Sequence, residues 1–329
     1  MLRLPIRPLL AVTALAGLCL GGSVQAQDWP APGKPVQIIV PAPGGGGTGD
    51  TIARGIAEEL GKRLKTTFVI DNKAGANGNI GAAAAAAAPG DGYHFLFSWA
   101  GTLAVNRGLY KSMPFDVLKD FVPVLLLADV PNILVINNEV PAKDLAEFTR
   151  YAKANPGKLN YGSTGQGSSM HLAGELFIRE TGAQMLHVPY NAPGTATTNM
   201  IAGDIQLMFQ LIPGIAGQVR GGKVRALAVM APQRSPGLPE VPTTVELGQP
   251  KLLSSTWFAF MAPKGTPAAI VERLNVATNE VLADPAVRQR LSAMGVSTLG
   301  GSSKQLADHL AAEIDKWGQL IREAKIQVQ

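Results

Sequence analysis

Residues 36–64 read VQIIVPAPGGGGTGDTIARGIAEELGKRL. The run Val36-Gln37-Ile38-Ile39-Val40 is short, β-branched and bounded by Pro35 and Pro41, the signature of a strand buried in a parallel sheet. From Thr51 to Leu64, the residues Ile52, Ile56, Leu60 and Leu64 recur at steps of four, one apolar helical stripe with Asp50 as its expected N-cap. Between them lies a loop of five glycines, Gly44 to Gly47 and Gly49. Strand, glycine loop and helix make a βα unit, and its repetition decides an α/β fold.

The pattern recurs along the chain. Phe68 to Ile70 and Phe95 to Ser98 read as strands. Between them stand a helix over 78–88, with seven consecutive alanines, and the turn Pro89-Gly90-Asp91-Gly92. Val122 to Leu127 and Ile133 to Ile136 are expected as two strands, joined by Asp129-Val130-Pro131-Asn132, a connection able to carry the chain into a second lobe. There the first unit is repeated about 118 residues later: strand Leu159 to Tyr161, glycine/serine loop Gly162 to Ser169, helix Met170 to Thr181. Strands follow at Met185 to Val188, Ile205 to Phe209, Ala226 to Met230 and Ser255 to Met261. The remainder is helical (267–283, 285–294 and 304–324), and those helices need a sheet to cover. The economical arrangement returns the chain to its first lobe, giving lobe 1 from residues 27–130 plus 251–329 and lobe 2 from 131–250.

The ends and the composition fix the compartment. Arg3 and Arg7, an apolar run from Leu9 to Leu20 and the small residues Val24 and Ala26 of Val24-Gln25-Ala26 predict a secretory signal peptide over 1–26, cleaved near Ala26, and hence an exported protein. The apolar run is too short for a spanning helix, which needs about 20 residues. The single cysteine, Cys19, falls in that segment, which excludes disulfides, thiolate metal sites and a cysteine nucleophile from the mature chain. Beyond residue 26 the formal charge is only +3, with no basic run, which excludes a nucleic-acid partner.

The glycine loops carry the candidate chemistry, because a loop that opens a helix exposes backbone N–H groups to an anion. Gly44 and Gly49 have P-loop spacing and Thr51 supplies its hydroxyl, but Asp50 stands where the lysine belongs and would repel phosphate. Gly44, Gly46 and Gly49 also satisfy the dinucleotide fingerprint, with Asp71 placed as its ribose acid. The alternative of an exported dinucleotide-binding oxidoreductase therefore stays open. The second loop adds the hydroxyls of Ser163, Thr164, Ser168 and Ser169, of which helix capping at Ser168 or Ser169 uses one at most. Neither loop contains Arg or Lys, so recognition would rest on neutral donors, which suits a small carboxylate. His94, His171, His187 and His309 are dispersed without metal-ligand spacing, and no nucleophile elbow is present. No metal, cofactor or catalytic residue is expected. Trp99 and Gln210, each ending a strand, are further candidates for the pocket.

Val36 to Arg54, Asn79-Ile80-Gly81, Asp91-Gly92-Tyr93, Leu159 to Leu176, His187-Val188-Pro189-Tyr190, Arg225 to Val229 with Arg234-Ser235, and Pro239 to Thr243, taken in order, resemble the tripartite tricarboxylate transporter substrate-binding proteins, the Bug family. The resemblance covers essentially the whole mature chain. It implies a type II, Venus-flytrap periplasmic binding protein that holds a small carboxylate (dicarboxylate, tricarboxylate or aromatic acid) between two lobes and hands it to a membrane permease, acting as a monomer. Carried over, the ligand-facing positions are the first loop (Gly45, Gly46, Gly47, Thr48, Asp50), Ala100-Gly101-Thr102, the second loop (Ser163, Thr164, Gly165, Gly167, Ser168, Ser169), Tyr190-Asn191-Ala192-Pro193, and Gln210. The first loop is one residue longer than the common family form. Gln210 stands where many relatives have aspartate, which favours a plain carboxylate over an amino acid.

Overall fold

The computed structural model describes residues 29–45 and 47–323. The expected signal peptide, Cys19, the cleavage point near Ala26, and Gly46 of the first loop lie outside the described residues. The first part of the chain runs β1 (Val36–Val40), α1 (Thr48–Leu64), β2 (Phe68–Asn72), α2 (Asn79–Ala86), β3 (His94–Trp99), α3 (Asn106–Leu109), α4 (Val117–Asp120) and β4 (Phe121–Ile136). The second part runs α5 (Leu145–Ala154), β5 (Leu159–Ser163), α6 (Ser169–Thr181), β6 (Met185–Pro189), α7 (Pro193–Ala202), β7 (Leu207–Leu211), α8 (Ile212–Arg220) and β8 (Arg225–Val229). The chain then returns through β9 (Ser255–Pro263), α9 (Ala268–Ala283), α10 (Pro285–Ala293), β10 (Ser297–Thr298) and α11 (Ser303–Glu323).

Two sheets result. In the first, β1 pairs in parallel with β2 and β3, and β9 runs antiparallel between β3 and β4. In the second, β5 pairs in parallel with β6 and β7, while β4 runs antiparallel to both β7 and β8. Each is covered by helices whose apolar stripes face it. In α1 the residues Ile52, Ile56 and Leu60 are buried at the anticipated four-residue steps.

The sequence expectation of two strands at 122–127 and 133–136 needs correcting. They are one continuous strand, β4, which serves both sheets. Its partner β9 extends as far as Pro131, and its partner β7 begins at Asn132. Proline cannot donate to a ladder, and Pro131 sits where the ladder changes hands, so its missing N–H leaves no gap. Asn132 closes the junction. Its backbone N–H donates to the Ser254 carbonyl (2.9 Å), its side-chain amide donates to the Phe209 carbonyl (2.9 Å), and its Oδ1 accepts from the Ser254 hydroxyl (3.0 Å).

Candidate functional site

The parallel strands β1, β5 and β7 end facing one cleft of about 760 Å³, and the helices that follow them begin on it. Gly47-Thr48-Gly49 of α1, Gly78 of α2, Ser168-Ser169-Met170 of α6, Ala192 to Thr195 of α7, and Leu211 and Gly214 of α8 all line it, so five helix N-termini converge there. The first turn of a helix leaves N–H groups without an intrahelical partner. In α1, α2, α7 and α8 no side chain caps them. Each helix end carries roughly half a positive charge. Among the described residues, no Asp, Glu, Lys, Arg or His lines the cleft. It is thus electropositive without a cation, and its walls add Trp99, Tyr110, Tyr190 and Phe258.

Asp50 is not the N-cap. Gly47 holds that position, and Asp50 is the third residue of α1, only 2% exposed. Its carboxylate accepts from Gly45 N–H (3.0 Å), Arg54 Nε (2.9 Å) and Asn72 Nδ2 (2.8 Å). Burial opposes its ionisation, but these donors outweigh that and hold its pKa below the usual carboxylate value. Asp50 therefore braces the first loop from behind and does not face the cleft.

The second loop is braced in the same way. Ser163, fully buried, donates to the Gly165 carbonyl (3.1 Å), accepts from Gly165 N–H (3.0 Å) and meets His187 Nε2 at 2.5 Å. Gly167 N–H donates to His171 Nδ1 (3.1 Å). Ser168 donates to the Gly165 carbonyl (2.8 Å) and caps α6 by accepting from His171 N–H (3.2 Å). Loop geometry thus consumes two serine hydroxyls, one more than capping alone requires. The two imidazole centroids lie 4.2 Å apart with the rings tilted by 33°. Burial lowers the pKa of His171 to about 4 and, with the neighbouring imidazole, that of His187 to about 3. Both are neutral, as Gly167 requires of its acceptor.

Of the positions anticipated from sequence, Gly45, Gly47, Thr48, Trp99, Thr164, Gly165, Ser168, Ser169, Tyr190, Asn191, Ala192, Pro193 and Gln210 line the cleft. Asp50, Ser163 and Gly167 stand behind it for the reasons given. Ala100, Gly101 and Thr102 also require correction. They turn into the π-helical segment Gly101–Val105 that leads into α3, and Thr102 Oγ1 is buried, donating to the Asn77 carbonyl (3.0 Å). The wall there is instead Ala74 to Gly78, which sequence reasoning missed. The pair Asn77-Gly78 was the available turn signal. The segment takes positive φ at Gly75, Ala76, Asn77 and Gly78, and a Cβ on Gly78 would meet Thr102 Oγ1 at 2.1 Å. Asp71, the ribose acid of the dinucleotide alternative, accepts from Gln37 Nε2 (2.8 Å), pairs with Lys73 (3.0 Å) and does not line the cleft.

The sequence profile of the tripartite tricarboxylate transporter family receptors matches residues 52–326. This chain belongs to that receptor family. The family's protein BugT of Bordetella pertussis is 38% identical over 311 residues, spanning 94% of each chain. Solved structures related to this receptor include R. palustris Rpa4515 with adipate (35% identity, TM-score 0.86, 90% of this chain and 99% of that one). They also include the periplasmic binding protein BugD (30%, 0.84, 91% and 100%) and MatC from Rhodopseudomonas palustris with bound malate (32%, 0.81, 88% and 100%). The receptor accordingly has the two-lobe α/β fold of a periplasmic binding protein. Among its described residues no helix is long and apolar enough to cross a membrane.

Proposed function

We propose that this receptor captures a small organic carboxylate in the cleft between its lobes, in the periplasm, and delivers it to a membrane permease of the tripartite tricarboxylate type, without chemical turnover and as a monomer. The observation that carries the reading is the convergence of helix N-termini on a cleft with no charged lining residue among the described residues. An anion at one helix terminus gains about 0.3–1 kcal/mol when exposed and up to ~2 when partly buried, and several termini acting together supply binding without arginine or lysine. The relatives solved with adipate and with malate support the ligand class. The positions we assign to ligand contact are the cleft-lining ones: the two glycine loops, Trp99, Tyr190 to Pro193, and Gln210. We divide the lobes as 27–130 plus 251–329 and 131–250, which the exchange of β4 partners between Pro131 and Asn132 supports.

The test is a thermal-shift and calorimetric screen of C3 to C8 mono-, di- and tricarboxylates and aromatic acids on protein refolded free of ligand. A binding acid raises stability by mass action, about 2.7 kcal/mol at a hundredfold excess over Kd. It also changes Trp99 fluorescence, a change absent in Trp99→Phe. A screen in which no acid shifts the transition overturns the reading.

A further inference from the structure

The cleft wall at Ala74 to Gly78 is held in a conformation that most residues avoid. Gly75, Ala76, Asn77 and Gly78 take φ of 126°, 47°, 49° and 92°. Glycine adopts such angles freely, whereas a Cβ in the left-handed region crowds the backbone. Ala76 and Asn77 stay there only because their surroundings fix them.

The fixing group is Asn106, which is fully buried and does not line the cleft. Its Nδ2 donates to the Asn77 carbonyl (3.0 Å) and to Asn79 Oδ1 (2.7 Å), and its Oδ1 accepts from Asn77 Nδ2 (2.8 Å). A side-chain amide has two N–H donors, and both are spent on this wall. Thr102 Oγ1, also buried, gives the Asn77 carbonyl its second donor (3.0 Å). The asparagine of the Asn79-Ile80-Gly81 motif thus anchors the far side of the same clamp.

Asn106 also stands where the wall meets the second glycine loop. It follows the π-helical turn Gly101–Val105, a form frequent at functional sites, and its neighbours Val105 and Leu109 pack with Leu172 of α6. Gly167 of the second loop lies against this corner. A Cβ there would come 2.1 Å from Leu109 Cδ1, 3.3 Å from Asn77 Nδ2 and 3.5 Å from Val105 Cγ1.

We infer that Asn106 is a positioning residue for ligand capture: it clamps residues 75–78 in their left-handed form and through that wall sets the affinity of a cleft it does not touch. The inference rests on the carboxylate-receptor reading and extends it to a residue behind the site. The probes are adipate, malate, citrate and benzoate, titrated calorimetrically into the purified receptor, with hydrogen exchange of the wall amides followed in parallel. In Asn106→Ala only molecules whose wall keeps its form are competent, so the acid that the parent binds most tightly is weakened about tenfold. Exchange of the Gly78 amide, bonded to the Gly75 carbonyl (2.9 Å), accelerates by a similar factor, while the amides of β1 and β3 keep their rates. In an Ala76→Gly background, where no Cβ resists the left-handed form at that position, Asn106→Ala weakens binding only about threefold. A merely structural role would give the same loss in both backgrounds. Thr102→Val keeps the side chain's shape and removes the other donor to Asn77; it gives the same pattern in smaller measure and keeps the test in force if Asn106→Ala does not fold. A Gly78 amide that exchanges no faster than in the parent, an affinity unaltered by these substitutions, or an equal loss in the two backgrounds overturns the inference and leaves the receptor reading intact. Absence of binding by every acid overturns both.

Discussion

At the residue scale, the groups that face the ligand are held in place by groups that do not. Asp50 fastens the first loop to Arg54 and Asn72, and the pair His171 and His187 fastens the second. The histidines make that support dependent on acid. Their folded pKa values, about 4 and about 3, lie below the ordinary 6.5. Between those limits the unfolded chain binds protons that the folded one refuses, so their contribution is complete above pH 6.5 and is lost as the pH falls through 4 for His171 and through 3 for His187. The urea midpoint should decline from pH 6.5 to 4.5, and NMR of the two imidazoles should report neutral rings at pH 5; titration of either ring near 6.5 contradicts the geometry. This support was not legible in the sequence. Ser163, Asp50 and Gly167 have the residue types of ligand contacts, and only the third dimension shows their polar atoms already spent on the loops. Gln210 and Trp99 were legible, because the end of a strand in an α/β sheet points at the cleft whatever the partners behind it.

At the scale of elements, the βα units followed from periodicity alone: α1 buries Ile52, Ile56 and Leu60 as their spacing required, and β1 is buried along its length but for Gln37. What periodicity did not reveal was β4 as a single strand. A proline beside Asp129 and Asn132 is a turn signal in sequence, and it became a strand interior because two partners meet at that point. Asn132 is the polar fastening of this junction, bonded to Phe209 in one sheet and to Ser254 on the returning chain. Asn132→Ala leaves the buried Phe209 carbonyl without its side-chain donor, a loss of about 1–3 kcal/mol. Denaturant unfolding measures it directly. A change below half a kilocalorie would mean that the two β4 ladders hold the crossing unaided. Trp257 of β9 and Trp317 of α11 both donate to Glu313 on α11 (3.0 and 2.8 Å), and the first of these bonds joins that helix to β9.

At the scale of the molecule, the lobes as divided under the proposed function also touch beside the cleft. Leu172, on α6 of the second lobe and 3% exposed, packs with Val105, Leu109 and Ile321 of the first, and Tyr110 and Trp317 lie against the group. Nearby, Gly167 has a φ of +79°, which favours glycine, and a Cβ there would meet Leu109 Cδ1 at 2.1 Å and displace that side chain. Parting of the lobes, as the proposed function requires for ligand entry, would break these contacts and leave the interior of each lobe unchanged. The contacts bias the equilibrium that ligand binding draws upon. Burying a leucine side chain is worth about 1.5–3 kcal/mol, so truncation of Leu172, which does not line the cleft, changes the population of the closed form and leaves the ligand contacts alone. Leu172→Ala should weaken carboxylate affinity by roughly tenfold and enlarge the radius of gyration of the ligand-free receptor in small-angle scattering. Saturating ligand should restore the compact value, because the ligand's own differential affinity still favours closure. Affinity and radius both equal to the parent protein's would place the control of closure at β4 and the returning strand β9, with the apolar contact a passive consequence of the lobes meeting.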